Sequence, residues 1–589
     1  MEQQTNLPIG QEELKGFMKV LQSYKAGKTR TEARIISSEN WWKLRNTAEE
    51  KRDGATRAEG FTSRSGWLHN VIVSKHADAV EAYPEPNILP REQSDVPEAR
   101  NLSAIIPCVL EQNRFEQTYC DAMWQKLKTG TGVYKVVWDS AALNGLGDIA
   151  ISRVSLLNLY WEPGITDIQN SRYLFHTELV SKEQLWQQYP VLEGKLGGNA
   201  FVSARFLYDD SVADGDKATV IDVYYHKRKN GKNVLHYCKF VEDTVLYATE
   251  NDEKEGVDIF GKAKAAPKDA GLYDHGKFPF VFDALYPIEG SPCGYGFVDI
   301  CRNPQTEIDL LKTAFVRNAR VGAVPRYFSR IDGNVDESQF LDLERSLVTV
   351  SGNVDEASLR RIEHCPLDGN YISLLDRTID ELRQTSGNTE ASTGAVSAGV
   401  TAASAIAALQ EAAGKGSRDA TLSAYRAYSQ VVELCIELIR QFYDMPRQFR
   451  IVGRFGAPAF ITYTNAGLQP QVQELGYRLP VFDIKISAQR KSVYTKVSQN
   501  ELALQFFKLG FFNPALADQA MLCLQMMDFD QKDTIMQWLD QNRAAVQMRV
   551  PSSGGDIRLT EADAIDGIKK PEHAIVQRAR EKAQNAALV

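Results

Sequence analysis

Two amphipathic segments of similar length, separated by a small mixed module, constrain the fold of this chain more than any other feature. Asn303 is a favourable N-cap and Pro304 a favourable first helical residue, so the sequence predicts a helix from Pro304 to about Arg320. A second amphipathic helix is predicted from Asn370 to Thr385. Short strand-like segments between the two helices predict a small compact module at one end of the helical pair.

A run of small and hydroxyl-bearing residues follows the second helix. The stretch SGNTEASTGAVSAGVTAAS, from Ser386 to Ser404, has too little apolar mass to pack, so the sequence predicts a mobile loop. Thr401 to Asp444 is then predicted to form a long helix. Gly414 and Gly416 should weaken that helix and bend it in the middle.

The part of the chain before the helical pair mixes helices with strands. The apolar spacing predicts two short helices over Gln11–Tyr24 and Arg34–Arg45, joined by a polar connection, and a third over Trp67–Ala82. A long helix is predicted from Val96 to Lys128, broken or kinked near Pro107.

Strands are predicted on both sides of the helical pair, so the fold class is α+β. Asn230-Gly231 predicts a hairpin, because both residues tolerate positive φ. Further strands are predicted at 133–138, 278–286, 448–452, 458–464 and 481–487, and helices at 496–509, 515–527 and 533–546.

Charge and cysteine usage exclude several classes of protein. With 68 Lys+Arg against 76 Asp+Glu, the net charge is -8, so the chain lacks the basic field of a tight duplex-binding protein. The eight cysteines form no C-x-x-C pair, which is typical of reduced thiols in a cytosolic chain. No stretch approaches the roughly 18 apolar residues of a membrane span, so we expect a protein that is neither secreted nor inserted.

The motifs of catalysis and cofactor binding are incomplete in this sequence. Gly27-Lys28-Thr29 ends like a phosphate-binding loop, but Gln22 stands where the first glycine is required. The eight histidines show no HExxH or other metal-ligand spacing. His364 and Cys365 are neighbours in a predicted strand, so their side chains should point to opposite faces. We therefore expect no catalytic residue, no metal and no cofactor.

The order of these parts resembles that of a bacteriophage portal protein, the head-to-tail connector through which double-stranded DNA enters and leaves the capsid. The residues that carry the resemblance are YGFVDICRNPQTEIDLLKTAFVRNAR (Tyr295–Arg320), the module after it, NYISLLDRTIDELRQTSG (Asn370–Gly387), the loop NTEASTGAVSAGVTAASA and the long helix beyond. FEQTYCDAMWQKLKTGTGVYKVVWD (Phe115–Asp139) is similar to the core of the portal wing.

The resemblance implies a portal-like fold with an α/β wing, a two-helix stem, a small α/β clip, a long kinked wing helix and a helical crown. It divides the chain into an N-terminal wing (1–296), first stem helix (297–321), clip (322–367), second stem helix (368–387), tunnel loop (388–400), long wing helix with strands (401–493), crown (494–549) and flexible C-terminal tail (550–589).

The resemblance also implies partners and contact residues. The expected assembly is a twelve-subunit ring at one capsid vertex of the virion, assembled in the host cytoplasm, that binds the major capsid protein, a scaffold protein, the terminase large subunit and head-tail adaptor or tail proteins. Double-stranded DNA would pass through weakly and without sequence preference, and no membrane is involved. The expected channel residues are Lys312, Arg317, Arg320, Arg377, Arg383, Thr389, Glu390, Ser392, Thr393 and Ser397; the expected terminase or adaptor contacts in the clip are Arg326, Tyr327, Phe328, Arg330, Arg360 and Arg361.

Two other hypotheses are compatible with the residues themselves. The many Asp and Glu residues could converge into a Mg²⁺ site, which would make the chain a metal-dependent nucleic-acid-processing enzyme. The chain could also be another structural protein of the virion, from the tail or baseplate. The charged residues of the two helices fit a channel wall, a contact between neighbouring subunits, or an ordinary solvated helix face.

Overall fold

The computed structural model describes residues 9–44, 64–197, 201, 203, 215–229, 231–251, 271–323, 326–329, 359–362, 367–388, 415–452, 458–473 and 476–488, with isolated positions between 503 and 536. The chain divides into two units, Met1–Arg490 and Lys491–Val589. In the second unit the described positions 503–506, 508, 521, 524, 535 and 536 are helical. The predicted helices at 496–509, 515–527 and 533–546, the flexible tail at 550–589 and the mobile loop at 389–404 lie largely or wholly outside the described residues.

The first unit combines long helices with small antiparallel sheets, which confirms the α+β fold class. Its helices are α1 (Gln11–Trp42), α2 (Trp67–Glu81), α3 (Val96–Gln112), α4 (Phe115–Thr129), α5 (Lys182–Gln188), α6 (Phe297–Ala323), α7 (Gly369–Ser386) and α8 (Lys415–Phe442).

The strands are β1 (Pro84–Pro90), β2 (Thr131–Asp139), β3 (Asp148–Arg153), β4 (Leu159–Trp161), β5 (Tyr173–Ser181), β6 (Lys217–Lys229), β7 (Lys232–Val241), β8 (Thr244–Ala248), β9 (Phe280–Ala284), β10 (Tyr286–Pro287), β11 (Gly294–Tyr295), β12 (Arg326–Ser329), β13 (Leu359–Ile362), β14 (Arg447–Val452), β15 (Pro458–Tyr463), β16 (Gln471–Gln473), β17 (Gly476–Arg478) and β18 (Phe482–Ala488). The largest sheet has the order β4-β5-β6-β7-β8, and a three-stranded sheet has the order β3-β2-β9. Two-stranded sheets pair β1 with β18, β10 with β11, β12 with β13, β14 with β15 and β16 with β17.

Among the described residues four hydrophobic clusters hold these elements together, the smallest of which packs α5 against β6 and β7. The largest joins α3, α4 and α8 to the β3-β2-β9 sheet. A second packs the first half of α1 against the five-stranded sheet. The third lies where α2, α6 and α7 meet. The predicted β6–β7 hairpin is confirmed, with Lys229 opposite Lys232 and Gly231 at a φ of +80°.

The N-terminal prediction of two short helices is wrong, because α1 runs without interruption from Gln11 to Trp42. In the predicted polar connection Lys28 and Glu32 are buried, whereas most of the residues around them are exposed. Lys28 donates hydrogen bonds to the carbonyl oxygens of Leu156 and Leu159 and lies 3.8 Å from Glu32, and burial lowers its pKa to about 8. Gly27 permits this approach, since a Cβ there would lie 2.7 Å from Pro163.

The predicted break near Pro107 is also misplaced. Pro107 lies inside α3, and the chain turns at Asn113 and Arg114 instead. Asn113 donates its amide to the Val109 carbonyl oxygen at 2.8 Å, which caps the last turn of α3, and accepts from the Ile151 backbone N–H at 2.9 Å. Arg114 has a φ of +49°, in the left-handed region that redirects the chain into α4.

Helix α6 begins at Phe297, seven residues before the predicted first residue Pro304, so Asn303 does not start it and Pro304 lies inside it. The Asp299 carboxylate accepts from the backbone N–H of Gly296 at 3.1 Å and thereby satisfies one free donor at the beginning of the helix. At 27 residues the helix is about 40 Å long.

Strand β1 was not predicted, because its three prolines indicated only the end of α2. Pro84, Pro86 and Ile88 point inward, and the strand pairs with β18 along its whole length. On the other side of the strand, Ser103 of α3 exchanges hydrogen bonds with the backbone of Ile88. Prolines are tolerated in such an edge strand because the missing N–H groups are not needed for the pairing.

A fully buried lysine connects three elements of the largest cluster. Lys126 of α4 lies 2.6 Å from the Asp283 carboxylate of β9. Its remaining hydrogens reach the Ala420 carbonyl oxygen at 3.0 Å and the Ser423 hydroxyl at 2.7 Å, both on α8. All three donors of the ammonium group are therefore used inside the protein.

We predict that Lys126→Met destabilises the first unit by about 3–5 kcal/mol, because it leaves the Asp283 carboxylate buried without its partner charge. Denaturant unfolding followed by tryptophan fluorescence measures the change. Adding Asp283→Asn to Lys126→Met should recover part of the loss, since the unpaired charge is then removed. Lys15→Met, at an exposed position of α1, is the control and should change stability by less than about 0.5 kcal/mol. Equal stability of Lys126→Met and this control would contradict the prediction.

Candidate functional site

The helical pair α6–α7 is anchored at its base to α1. Arg34 of α1 donates to the Asp299 carboxylate at 2.9 Å and, through its second nitrogen, to the Gly294 carbonyl oxygen at 2.9 Å. Because Asp299 also accepts from the Gly296 N–H, one ion pair fixes both the start of α6 and its attachment to α1.

A buried polar network holds the first turns of α6 to the residues that precede α2. Gln305 is 1% exposed; its side chain accepts from the Leu68 backbone N–H at 3.0 Å and donates to the Ser65 carbonyl oxygen at 2.9 Å. One turn later, Asp309 accepts from the backbone N–H and the hydroxyl of Ser65, at 2.9 and 2.7 Å. The side chains of Gln305 and Asp309 are thus hydrogen-bonded to the segment before and at the start of α2, and the rest of α6 projects from a fixed base.

Helices α6 and α7 pack against each other through apolar side chains. Ile308 of α6 and Leu382 of α7 are buried in the same cluster, and Leu375 and Ile379 are partly buried against it. Gly387, at a φ of +65°, ends α7. Its carbonyl oxygen accepts from the buried Lys75 of α2 at 3.2 Å, which places a cation at the negative end of the helix.

The three predicted channel cations of α6 all lie on its surface. Lys312, Arg317 and Arg320 are exposed. A fourth cation, Arg302, was not predicted; it is exposed and lies 5.4 Å from the centre of the Trp41 ring. Eighteen residues make five helical turns, so Arg302 and Arg320 share one direction, with Lys312 and Arg317 within about 80° on either side. The spacing of these four cations is visible in the sequence. It was missed because the helix was predicted to begin at Pro304, which left Arg302 outside it.

The predicted cations of α7 have different surroundings. Arg377 is exposed. Arg383 is half-buried, with its guanidinium 5.2 Å from the Trp67 ring and 3.7 Å from Asp380. Arg383 therefore contacts its own subunit, and the exposed charges of α7 are mainly acidic: Asp376, Asp380 and Glu381.

The predicted clip and loop residues are only partly within the described chain. In the clip, β12 and β13 pair antiparallel, with Arg326 opposite Ile362, Tyr327 opposite Arg361 and Phe328 opposite Arg360. This pairing brings two predicted strand pieces together. Arg330, Thr389, Glu390, Ser392, Thr393 and Ser397 lie outside the described residues, as does the predicted strand at 346–350.

An aromatic surface beside the base of the helical pair was also missed by sequence reasoning. The imidazole of His69 stacks on Trp42 at 4.1 Å between ring centroids, and His76 stacks on Trp124 at 3.7 Å. The two tryptophans are 5.2 Å apart. His69 and His76 are seven residues apart on α2, so they lie on the same face of the helix. This spacing is the one feature of the sequence that could have predicted that the two histidines are neighbours.

Metal and membrane features can be checked over part of the chain. Within the ranges that the structure describes, no group of three or more His, Cys, Asp and Glu side chains is placed to hold a metal ion. Among the same residues, every helix is too short or too polar to span a lipid bilayer.

Comparison with known proteins decides the family. The family model described as Phage P22-like portal protein matches residues 77–276 and 318–587. The chain belongs to the phage portal family. No curated protein matches it. The match covers the elements from the end of α2 to β8, together with α7, α8 and most of the C-terminal unit, while residues 277–317, which hold most of α6, lie between the matched segments.

Membership confirms the resemblance that the order of parts had predicted. The family is a structural one: its members are head-to-tail connectors of phage capsids with a role in DNA packaging, and they assemble as rings at a capsid vertex. This portal-family chain thus presents its helical pair, with one basic and one acidic surface, in a protein that must associate with copies of itself.

Proposed function

We propose that this portal-family chain forms a twelve-subunit ring whose channel conducts double-stranded DNA during packaging and ejection. The family match to residues 77–276 and 318–587 carries the proposal. In this assignment the wing is 1–296, α6 and α7 are the two stem helices, β12–β13 belong to the clip, and the C-terminal unit contains the crown. The ring would assemble in the host cytoplasm and become part of the virion.

A closed ring requires two different, complementary faces on each subunit. The exposed charges of α6 are Arg302, Lys312, Arg317 and Arg320 against Glu307. Those of α7 are the opposite, with Asp376, Asp380 and Glu381 against Arg377. We therefore assign the basic surface of α6 in one subunit as the partner of the acidic surface of α7 in the next.

Exposed apolar side chains on the same two helices support this contact. Leu310 of α6 is 60% exposed, and Ile372 and Leu374 of α7 are 55% and 50% exposed. Leu310 lies seven residues from Arg317, and Ile372 lies four residues from Asp376, so each of these two side chains shares a helix face with a charge of the assigned contact. A neighbouring helical pair would bury Leu310 and Ile372 between the rows of opposite charge.

Pairing of the α6 cations with carboxylates of the neighbouring subunit would also keep the affinity of the channel for DNA low. Each cation that binds phosphate releases counterions and strengthens the hold on the strand. If α6 cations are already paired with carboxylates of the next subunit, the channel wall offers few such contacts. The net charge of -8 per subunit also lowers the affinity for DNA, because it repels the phosphates. Thr389, Glu390, Ser392, Thr393 and Ser397 of the proposed tunnel loop would add only transient contacts.

We assign the clip as the docking surface for the terminase large subunit and, after packaging, for head-tail adaptor proteins. The β12–β13 pair is a two-stranded sheet within the described residues, and strand edges pair readily with another chain. In the register of the two strands Arg361 is opposite Tyr327, Arg360 is opposite Phe328, and Arg326 is opposite Ile362. The major capsid protein and a scaffold protein would contact the wing.

The first prediction from this proposal concerns the α6–α7 contact. Asp376→Lys with Asp380→Lys should place like charges opposite each other and raise the concentration needed for ring assembly about 100-fold or more. Sedimentation velocity measures the assembly. Adding Lys312→Glu and Arg317→Glu to the same chain should restore rings, because two charges on each side of the contact are then exchanged and opposite charges face each other again.

The matched control is Glu178→Lys with Glu183→Lys, which makes the same change of charge at exposed positions of β5 and α5. Rings should form as in the unmodified protein. Unchanged assembly of the Asp376 and Asp380 variant, or failure of the four-residue reversal to restore rings, would contradict the assigned contact.

The second prediction concerns the strength of DNA binding. For assembled rings and linear duplex DNA, the slope of log K against log salt concentration should be shallower than about -3, because few phosphates are neutralised. Fluorescence anisotropy over a salt series measures it. A slope of about -6 or steeper would show many cation–phosphate contacts and would contradict a channel that binds DNA weakly.

A further inference from the structure

An open cleft lies in the wing, away from the helical pair, between the start of β1, the α3–α4 corner and α8. Its volume is about 820 Å³, within the range of ligand-binding pockets. The cleft is lined by side chains from four elements, β1, α3, α4 and α8, that the largest hydrophobic cluster holds together. Its shape therefore depends on a packed core and not on one loop.

The floor of the cleft is aromatic and apolar. Tyr83, Phe115 and Tyr428 line it and are 8%, 0% and 1% exposed, and the rings of Phe115 and Tyr428 are 5.6 Å apart. Pro86 and Pro107 complete the apolar lining. Such a surface receives aliphatic groups and also the faces of flat or cationic ones.

The rim of the cleft is acidic. Glu85, Glu111 and Glu116 are exposed at its edge, and Arg114 is the one cationic side chain among the residues that line it. Arg114 also has the unusual φ of +49°, which fixes the corner from which Glu111 and Glu116 project on either side. The rim thus carries an excess of negative charge over an aromatic floor.

We propose that this cleft binds a short basic peptide segment of a partner protein, with aliphatic side chains on the floor and Arg or Lys side chains at the carboxylate rim. Carboxylates beside aromatic rings attract guanidinium and ammonium groups by charge and by cation–π contact. The same carboxylates repel phosphate, so nucleic acid is the wrong ligand for this site. The inference does not depend on the ring or on the helical pair.

The test uses the full chain and a fluorescein-labelled peptide of alternating Arg and Leu. Fluorescence anisotropy should show saturable binding, and a peptide with Gln in place of Arg should bind at least about fivefold more weakly. The triple variant Glu85→Gln, Glu111→Gln and Glu116→Gln should also weaken binding about fivefold or more. The matched control is Glu178→Gln, Glu183→Gln and Glu193→Gln, which removes three exposed carboxylates elsewhere and should bind as the unmodified protein does.

A second measurement locates the bound peptide. Cys120 lines the cleft and is half-buried, and Cys108, also half-buried, is absent from the lining. The peptide should slow the modification of Cys120 by a maleimide, measured by peptide mass spectrometry, and leave the rate at Cys108 unchanged. Equal binding by the two triple variants, equal binding of the two peptides, or an unprotected Cys120 would overturn the proposal. So would protection that occurs in single subunits and disappears in rings, since a neighbouring subunit would then fill the cleft.

Discussion

The ion pair between Lys126 and Asp283 is the interaction on which the arrangement of the first unit depends. Both side chains are buried, so neither charge is stable in this environment without the other. Because the same ammonium group also binds Ala420 and Ser423, the position of α8 is set by α4 and β9. A purely apolar contact would allow α8 to slide, whereas the two directed hydrogen bonds from Lys126 to α8 define its register.

The same principle holds at the base of the helical pair. Arg34 with Asp299, and Ser65 with Gln305 and Asp309, attach α6 by groups whose geometry is specific. Lys75 does so for the end of α7. A pair of helices that is fixed at one end by polar contacts, and has exposed charges along the rest of its length, can present the same surface to each neighbour. That regularity is what a ring of identical subunits requires.

The sequence predicted elements better than it predicted their ends. Hydrophobic periodicity found α2, α7 and the β6–β7 hairpin, because each is amphipathic or bounded by strong turn residues. It placed the start of α6 at Asn303-Pro304, because the contacts that extend the helix back to Phe297 come from Arg34, far away in the chain. It divided α1 at Lys28 for a related reason: a lysine that donates to Leu156 and Leu159 has the same sequence signal as an exposed one. Three of the four exposed cations of α6 were predicted and Arg302 was not, while the partners of Arg383 and the cleft around Phe115 arise from elements that meet only in the fold.

Cryo-electron microscopy of the purified protein tests the central claim, that the α6–α7 pair surrounds a DNA channel, most directly. The account predicts closed rings of about twelve subunits in which α6 of each subunit lies against α7 of the next around a central hole. Rings with the helical pair on their outer surface, or single subunits even in the presence of capsid and scaffold proteins, would contradict it.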